Sequence, residues 1–258
     1  MHPDRTMSIA GDSYPPPPWH HRNVLRLTVL CRAQNPAALH RWIQPPLRPI
    51  PNDPDFAVFF IHIPTIDECG EAYESHECGL LVPVLDPTGD GIGATIAFMI
   101  VDNDVALCGG REIWGYPKKL GHVTIDAETT TRVVCRTSNM RYRDAAEREI
   151  FSVEATLDGT HSGVSQSLER FGPRFIRKSV PSAYGPYLQS DELIRVSITD
   201  VVIRSETTGR AGVILGDSPE LLSDAGPITV LGAVGRVSDY TLQYGLTVQT
   251  AGRDPLRA

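Results

Sequence analysis

Two consecutive lysines, Lys118 and Lys119, stand in the run Gly110-Arg111-Glu112-Ile113-Trp114-Gly115-Tyr116-Pro117-Lys118-Lys119-Leu120-Gly121, and the chemistry open to them is nucleophilic. A neutral lysine amine condenses with a ketone to an imine, which then acts as an electron sink. The ordinary lysine pKa of ~10.4 leaves about one amine in a thousand neutral near pH 7, so such a lysine must be activated. Most Lys-Lys pairs are solvated surface pairs. This one is flanked by Trp114, Tyr116 and Leu120 at a turn stiffened by Pro117, a setting that invites desolvation, and an adjacent like charge adds to the effect. If the backbone is extended here, neighbouring side chains point to opposite faces, so only one of the two lysines enters a given pocket. Trp114 and Tyr116 read as pocket walls.

Other signals are weaker. Cys69, His76, Glu77 and Cys78 cluster within ten residues, but they form no Cys-x-x-Cys pair and no partner pair follows, so no metal site is expected. Gly89-Asp90-Gly91-Ile92-Gly93 lacks both the Gly-x-Gly-x-x-Gly register and a following helix, and fits a hairpin turn better than a nucleotide loop. His62, inside an apolar run, reads as a hydrogen-bonded core histidine. His20 and His21, next to Arg22, read as arm residues or an oligomer contact. Arg111 and Glu112 read as scaffold charges.

The elements that must position these residues are strands. Runs rich in Val, Ile, Thr and Phe cover Phe56–Ile63, Gly79–Leu85, Ile92–Val101, Gly121–Asp126, Ile150–Leu157 and Ile228–Tyr240, with further ones at Val24–Cys31, Thr131–Thr137, Leu193–Arg204 and Tyr244–Thr250. Helical stretches are few and short: Pro36–Ile43, Asp144–Glu149, Val164–Phe171 and Ser218–Ala225. The expected fold is mainly β with a few short helices, a largely antiparallel β-barrel rather than a doubly wound parallel sheet. Residues 1–18, with the Pro15–Pro18 run, form a proline-rich arm, and residues 19–258 form a single domain. A net charge of −7 without any long Lys/Arg run argues against nucleic acid and anionic membrane as partners and favours a small molecule. No apolar stretch is long enough to cross a bilayer as a helix, no leader pattern is present, and five scattered cysteines suit a reducing cytoplasm.

The lysine segment resembles the signature of the acetoacetate decarboxylase-like superfamily. Similar segments lie at Asp102-Asn103-Asp104, Glu77-Cys78-Gly79-Leu80-Leu81-Val82-Pro83-Val84, Gln44-Pro45-Pro46-Leu47, Ile198-Thr199-Asp200-Val201 and Ser238-Asp239-Tyr240-Thr241-Leu242, so roughly residues 20 to 250 are covered. Acetoacetate decarboxylase is itself the standard example of a lysine activated by burial and a neighbouring cation. The resemblance implies a cone-shaped β-barrel assembled into homo-oligomers, with Lys118 forming the Schiff base and Lys119 helping to activate it. It also implies a pocket acid at Glu77, with Glu74 as the backup because the stretch from Asp67 to Glu77 departs in length from the family pattern. No cofactor is implied, and the substrate class is a small oxo acid.

Departures from the pattern bear on the reaction. Decarboxylases of the family carry a second glutamate in the strand matching Phe56–Ile63, where this chain offers Phe59. The family arginine of the first strand has two candidates, Arg22 and Arg26, of equal strand parity. A tyrosine at Tyr244 resembles branches that carry out pyruvate aldol condensation with dehydration, or hydration of unsaturated 2-oxo acids. The sequence therefore places aldolase-dehydratase or hydratase chemistry first, with an aldehyde as a possible co-substrate. Acetoacetate-type decarboxylation is the alternative, and a non-catalytic ligand-binding barrel is the reading from another class.

Overall fold

A computed structural model describes residues 14–66, 70, 72–89, 91–127, 132–139, 148–181, 188–215 and 225–250. The β-branched and aromatic runs form β1 (Trp19–Ala33), β2 (Asp55–Ile66), β3 (Ala72–Leu85), β4 (Ile92–Val101), β5 (Lys118–Ala127), β6 (Arg132–Asn139) and β7 (Arg148–Thr156). They continue as β8 (Phe175–Pro181), β9 (Leu188–Arg195), β10 (Ile198–Leu215), β11 (Ile228–Leu242) and β12 (Leu246–Thr250). Nine strands close a barrel in the order β1-β11-β10-β7-β6-β5-β4-β3-β2, and β12-β9-β8 form a small separate sheet. The short helices are α1 (Ala37–His40), α2 (Asp104–Gly109) and α3 (Gly163–Leu168). None is long and apolar enough to cross a membrane.

The mainly antiparallel β expectation holds. Three details differ. The run expected as one strand over Leu193–Arg204 divides between β9 and β10, and β8, with Arg177, Lys178 and Ser179 at its centre, carries too little apolar alternation to stand out. The crossover from β4 to β5 contains α2 and a π-helical turn at Gly110–Trp114. Asn103 supplies the N-cap of α2, its Oδ1 accepting from the Ala106 N–H at 3.0 Å, which satisfies one orphan amide of the first turn. The helices expected at 144–149 and 218–225 fall largely on residues outside those described.

That crossover makes β4 and β5 the single parallel pair among the described strands, Met99 opposite Lys118 and Ile100 opposite Lys119. A parallel connection needs a long excursion, and residues 102–117 provide it. One face of β1–β4 packs toward β7, with the rings of Phe60 and Phe98 meeting Phe151 at 5.2 and 6.1 Å between centroids. The opposite face packs against Ile176 of β8, Ile194 of β9, Val164 of α3 and Trp114 of the crossover. Strands buried on both faces explain why β2 reads as a nearly unbroken apolar run.

Two bulges change which residues reach that second face. In β4, Leu80 pairs with Phe98 and Leu81 with Ile96, leaving Ala97 without an opposite residue. In β1 the register breaks between His21 and Val24, where Asn23 has φ of 51°. Asp239 of β11 holds this break, its Oδ1 accepting from the Asn23 N–H at 2.8 Å, and Arg204 of β10 grips Asp239 in turn. These two interactions pull the Asp239 carboxyl down to about 2. The stabilisation is therefore present above the ordinary aspartate pKa near 3.8 and is lost as pH falls through about 2. An Asp239→Asn variant should melt below wild type at neutral pH, with the difference closing between pH about 4 and 2. A melting-temperature gap that stays constant over that range would contradict this role.

Candidate active site

Where the second face of β1–β4 meets α2 and the small sheet, it borders a cavity of about 720 Å³ counting its open mouth. Strand alternation supplies the wall: Phe59, Ile61, Ile63 and Thr65 from β2, and Tyr73, Ser75 and Glu77 from β3. Lys118 enters at the start of β5. Its Nζ donates to Glu77 Oε1 at 2.6 Å and to the Ala106 carbonyl at 3.0 Å. Both charged side chains are shut from solvent, at 5% and 3% exposure. A buried pair of this kind is fragile to one-sided change, because removing either partner strands a charge at a cost of about 3–5 kcal/mol.

The glycine-rich run before the lysine is shaped around its side chain. A Cβ on Gly110 would stand 2.7 Å from Lys118 Cδ, 2.8 Å from Cε and 3.0 Å from Nζ, so only glycine lets the lysine lie along the π-helical turn. Gly115 closes that turn at φ of 81°, and a side chain there would strike the backbone of Lys178. Arg111 donates from Nη1 to the Lys118 carbonyl at 2.9 Å, fixing the start of β5. Glu112 accepts from the Tyr14 hydroxyl at 2.6 Å, tying the residue before the Pro15–Pro18 run to the crossover. Both charges act as scaffold.

Of the residues singled out in the sequence, Lys118, Glu77, Phe59, Arg26 and Tyr116 line the cavity. Phe59 lays its ring across Gly79, whose Cβ would lie 2.8 Å from Cζ. The others stand elsewhere. Lys119 points away from the cavity at the start of β5, where it is exposed. Glu74 lies on the opposite face of β3 and pairs with His62 at 2.9 Å, so Glu77 alone of the two acids reaches the lysine. Trp114 is fully buried behind the wall, edge-on to Trp19 at 4.8 Å, with its Nε1 donating to the Gln243 carbonyl at 2.9 Å. Tyr244 is 52% exposed and is not among the cavity residues. Arg22 also lies outside, donating to the His21 carbonyl at 3.0 Å, because the break at Asn23 undoes the shared parity with Arg26.

The same break brings in His21, read from sequence as an arm residue. It is buried, hydrogen-bonded through Nδ1 to Thr65 Oγ1 at 2.9 Å, and packed 4.7 Å from the Tyr240 ring. Burial first, and the nearby Lys118 charge second, lower its pKa to about 3, so the imidazole is neutral. Burial likewise raises the phenols of Tyr116 and Tyr240 and keeps them protonated. Arg26 is lowered to about 10 by burial, with Arg174 as a further cause, and remains charged. Arg174, just before β8, was not singled out because nothing in its local sequence marks a site. Among the described residues no group of three or more His, Cys, Asp or Glu could hold a metal. Glu77 and Cys78 fall on opposite faces of β3, which divides the cysteine-histidine cluster seen in sequence.

A Gly110→Ala variant should keep its fold but lose at least about tenfold in turnover, because the methyl group takes the space of the Lys118 side chain. Activity assays paired with circular dichroism check this, and wild-type turnover in a folded variant would show that the close approach is immaterial.

Comparison with known proteins places this site in context. The family model described as acetoacetate decarboxylase matches residues 5–251. Acetoacetate decarboxylase 1 of Bradyrhizobium diazoefficiens is 28% identical over 246 residues, covering 93% of this chain and 90% of the relative. Acetoacetate decarboxylase of Burkholderia multivorans is 31% identical over 183 residues, 67% of each chain. Among solved structures, acetoacetate decarboxylase from Legionella pneumophila superposes with a TM-score of 0.75 at 20% identity, covering 96% of this chain and 93% of that one. The enduracididine biosynthesis enzyme MppR superposes at 0.73 with 17% identity, covering 93% and 91%, a likeness of fold. With its lysine segment, its barrel and nearly its whole length matched, the chain belongs to the acetoacetate decarboxylase family.

Proposed function

We propose that the protein decarboxylates a 3-oxo acid through an imine on Lys118. The observation that carries this reading is the buried contact of 2.6 Å between the Lys118 amine and the Glu77 carboxylate at the wall of an otherwise largely apolar cavity. Glu77 is placed to take the proton that the amine must lose before it attacks the ketone. Addition and loss of water give the imine; the bond to the carboxylate then breaks, carbon dioxide leaves, and the electron pair moves to the imine nitrogen as an enamine. A proton returns to carbon, for which Glu77 is the nearest acid, and hydrolysis frees the ketone and the lysine. Phe59 and Met99, in register with Lys118 across β2 and β4, give the leaving carboxylate an apolar surface that favours the neutral product over the anion.

Aldol condensation with dehydration, favoured on sequence from Phe59 and Tyr244 together, keeps the first and loses the second. Tyr244, the proton donor or acceptor it relied on, is exposed outside the cavity. The relatives at 27–31% identity carry the name acetoacetate decarboxylase, whereas MppR, one of whose structures holds the condensation product of pyruvate and imidazole 4-carboxaldehyde, is 17% identical. The expected homo-oligomer has a candidate contact in the exposed apolar row Val201, Val202 and Ile203 of β10.

The test measures carbon dioxide release from acetoacetate, with pyruvate plus an aldehyde as the competing assay. Release by wild type that falls on the order of a thousandfold or more in Lys118→Ala is the expected result. Consumption of pyruvate and aldehyde with acetoacetate left untouched would overturn the proposal.

A further inference from the structure

The charges that line the cavity do not balance. Among the described residues its wall carries three cationic side chains, Arg26, Arg174 and Lys118, and one carboxylate, Glu77, a surplus of two positive charges. His21, held neutral by burial, adds none. Buried or half-buried arginines are ordinarily paired with carboxylates, as Arg177 is with Asp191 at 2.7 Å on the neighbouring β8–β9 pair. Neither Arg26 nor Arg174 has an acidic partner among the described residues. The surplus faces the cavity.

Arg174 has the properties of a binding group. Its backbone is stapled on two sides: the Ala94 N–H donates to the Pro173 carbonyl at 2.8 Å, and the Val196 N–H donates to the Arg174 carbonyl at 2.9 Å. Its Nε is buried without a hydrogen-bond partner, an uncommon state for a group with so strong a demand for one. Arg26 stands near the Tyr240 phenol on the same wall, and its five N–H donors exceed what that single oxygen can accept. In register, Arg26 stands opposite Ile61, and Ile61 opposite Glu77, so Arg26 and the Glu77–Lys118 pair are two strands apart, about 10 Å backbone to backbone. Both project into the cavity from the same wall, so the guanidinium and the amine meet a bound molecule at different points along it.

Which carboxylate would the arginines hold? Loss of carbon dioxide turns an anion into a neutral molecule, so two guanidinium groups on the leaving carboxylate would stabilise the ground state and slow the step. They belong on a carboxylate that survives the reaction. We infer that the cavity takes a 3-oxo dicarboxylic acid, its non-reacting carboxylate held between Arg26 and Arg174 while its oxo carbon meets Lys118. This rests on the decarboxylase reading for the reaction, but not for recognition of the second carboxylate. With 3-oxoadipate as the probe, the Lys118 amine adds at C3 and water leaves. The C1–C2 bond then breaks to release carbon dioxide, a proton returns to C2, and hydrolysis yields 4-oxopentanoate with the lysine restored.

Two measurements on the full-length protein test the inference. The first compares kcat/KM for 3-oxoadipate and acetoacetate. A preference of at least about tenfold for the diacid, falling at least tenfold in Arg174→Gln chiefly through KM, is expected for a lost charge-assisted contact. The second needs no imine: glutarate should raise the melting temperature where butyrate, of similar length with one carboxylate, does not, and Arg174→Gln should abolish the difference. Equal stabilisation by glutarate and butyrate, or an unchanged substrate ratio in the variant, would overturn the inference. Selective binding of glutarate with neither oxo acid decarboxylated would support diacid recognition and reject the decarboxylase reading instead.

Discussion

An ammonium and a carboxylate 2.6 Å apart, both removed from water, hold together only if the surrounding chain fixes each of them, and much of the fold around the cavity meets that demand. Glu77 is delivered by strict alternation on β3, which is paired on both sides. Lys118 is delivered by the crossover before β5, where Gly110 leaves room for its side chain, the Ala106 carbonyl accepts its second hydrogen bond, and Arg111 holds its own carbonyl. An irregular stretch, α2 running into a π-helical turn, therefore serves the buried lysine. A π-helical turn widens the backbone locally and is often found at functional sites.

The lysine segment and the barrel class were legible in sequence because each has a local signature, an unusual run of residue types and β-branched periodicity, whereas Glu77 came only from the family resemblance, with Glu74 beside it, and strand alternation separates the two. Alternation also anticipated that only one lysine of the pair would face the cavity. What failed depended on irregularity. Arg22 and Arg26 share parity in a regular strand, yet a single residue at positive φ, Asn23, separates them and brings His21 inward. The partner that stabilises this break, Asp239, lies 216 positions away, beyond the reach of any local pattern.

Tyr244 and Arg174 show the same limit from opposite sides. Tyr244 sits two residues beyond Leu242, the last residue of β11 and part of the cavity wall, but it has left the strand and faces solvent. Arg174 sits in an unremarkable stretch that becomes part of the site only because β8 packs across β4. If Arg26 and Arg174 select the acid as inferred, specificity in this cavity rests on elements outside the lysine segment. On the proposed function, the amine comes from the barrel wall and the choice of substrate rests on what covers it.

The account stands or falls on Lys118 as the attacking amine. The most direct measurement is intact-protein mass spectrometry after incubation with acetoacetate and reduction with sodium borohydride, followed by peptide mapping. One added isopropyl group per chain, the reduced imine left after loss of carbon dioxide, is expected on the peptide containing Lys118, with no addition in Lys118→Ala. Labelling that persists in that variant or maps to Lys119, or no labelling of an enzyme that consumes the substrate, would contradict it.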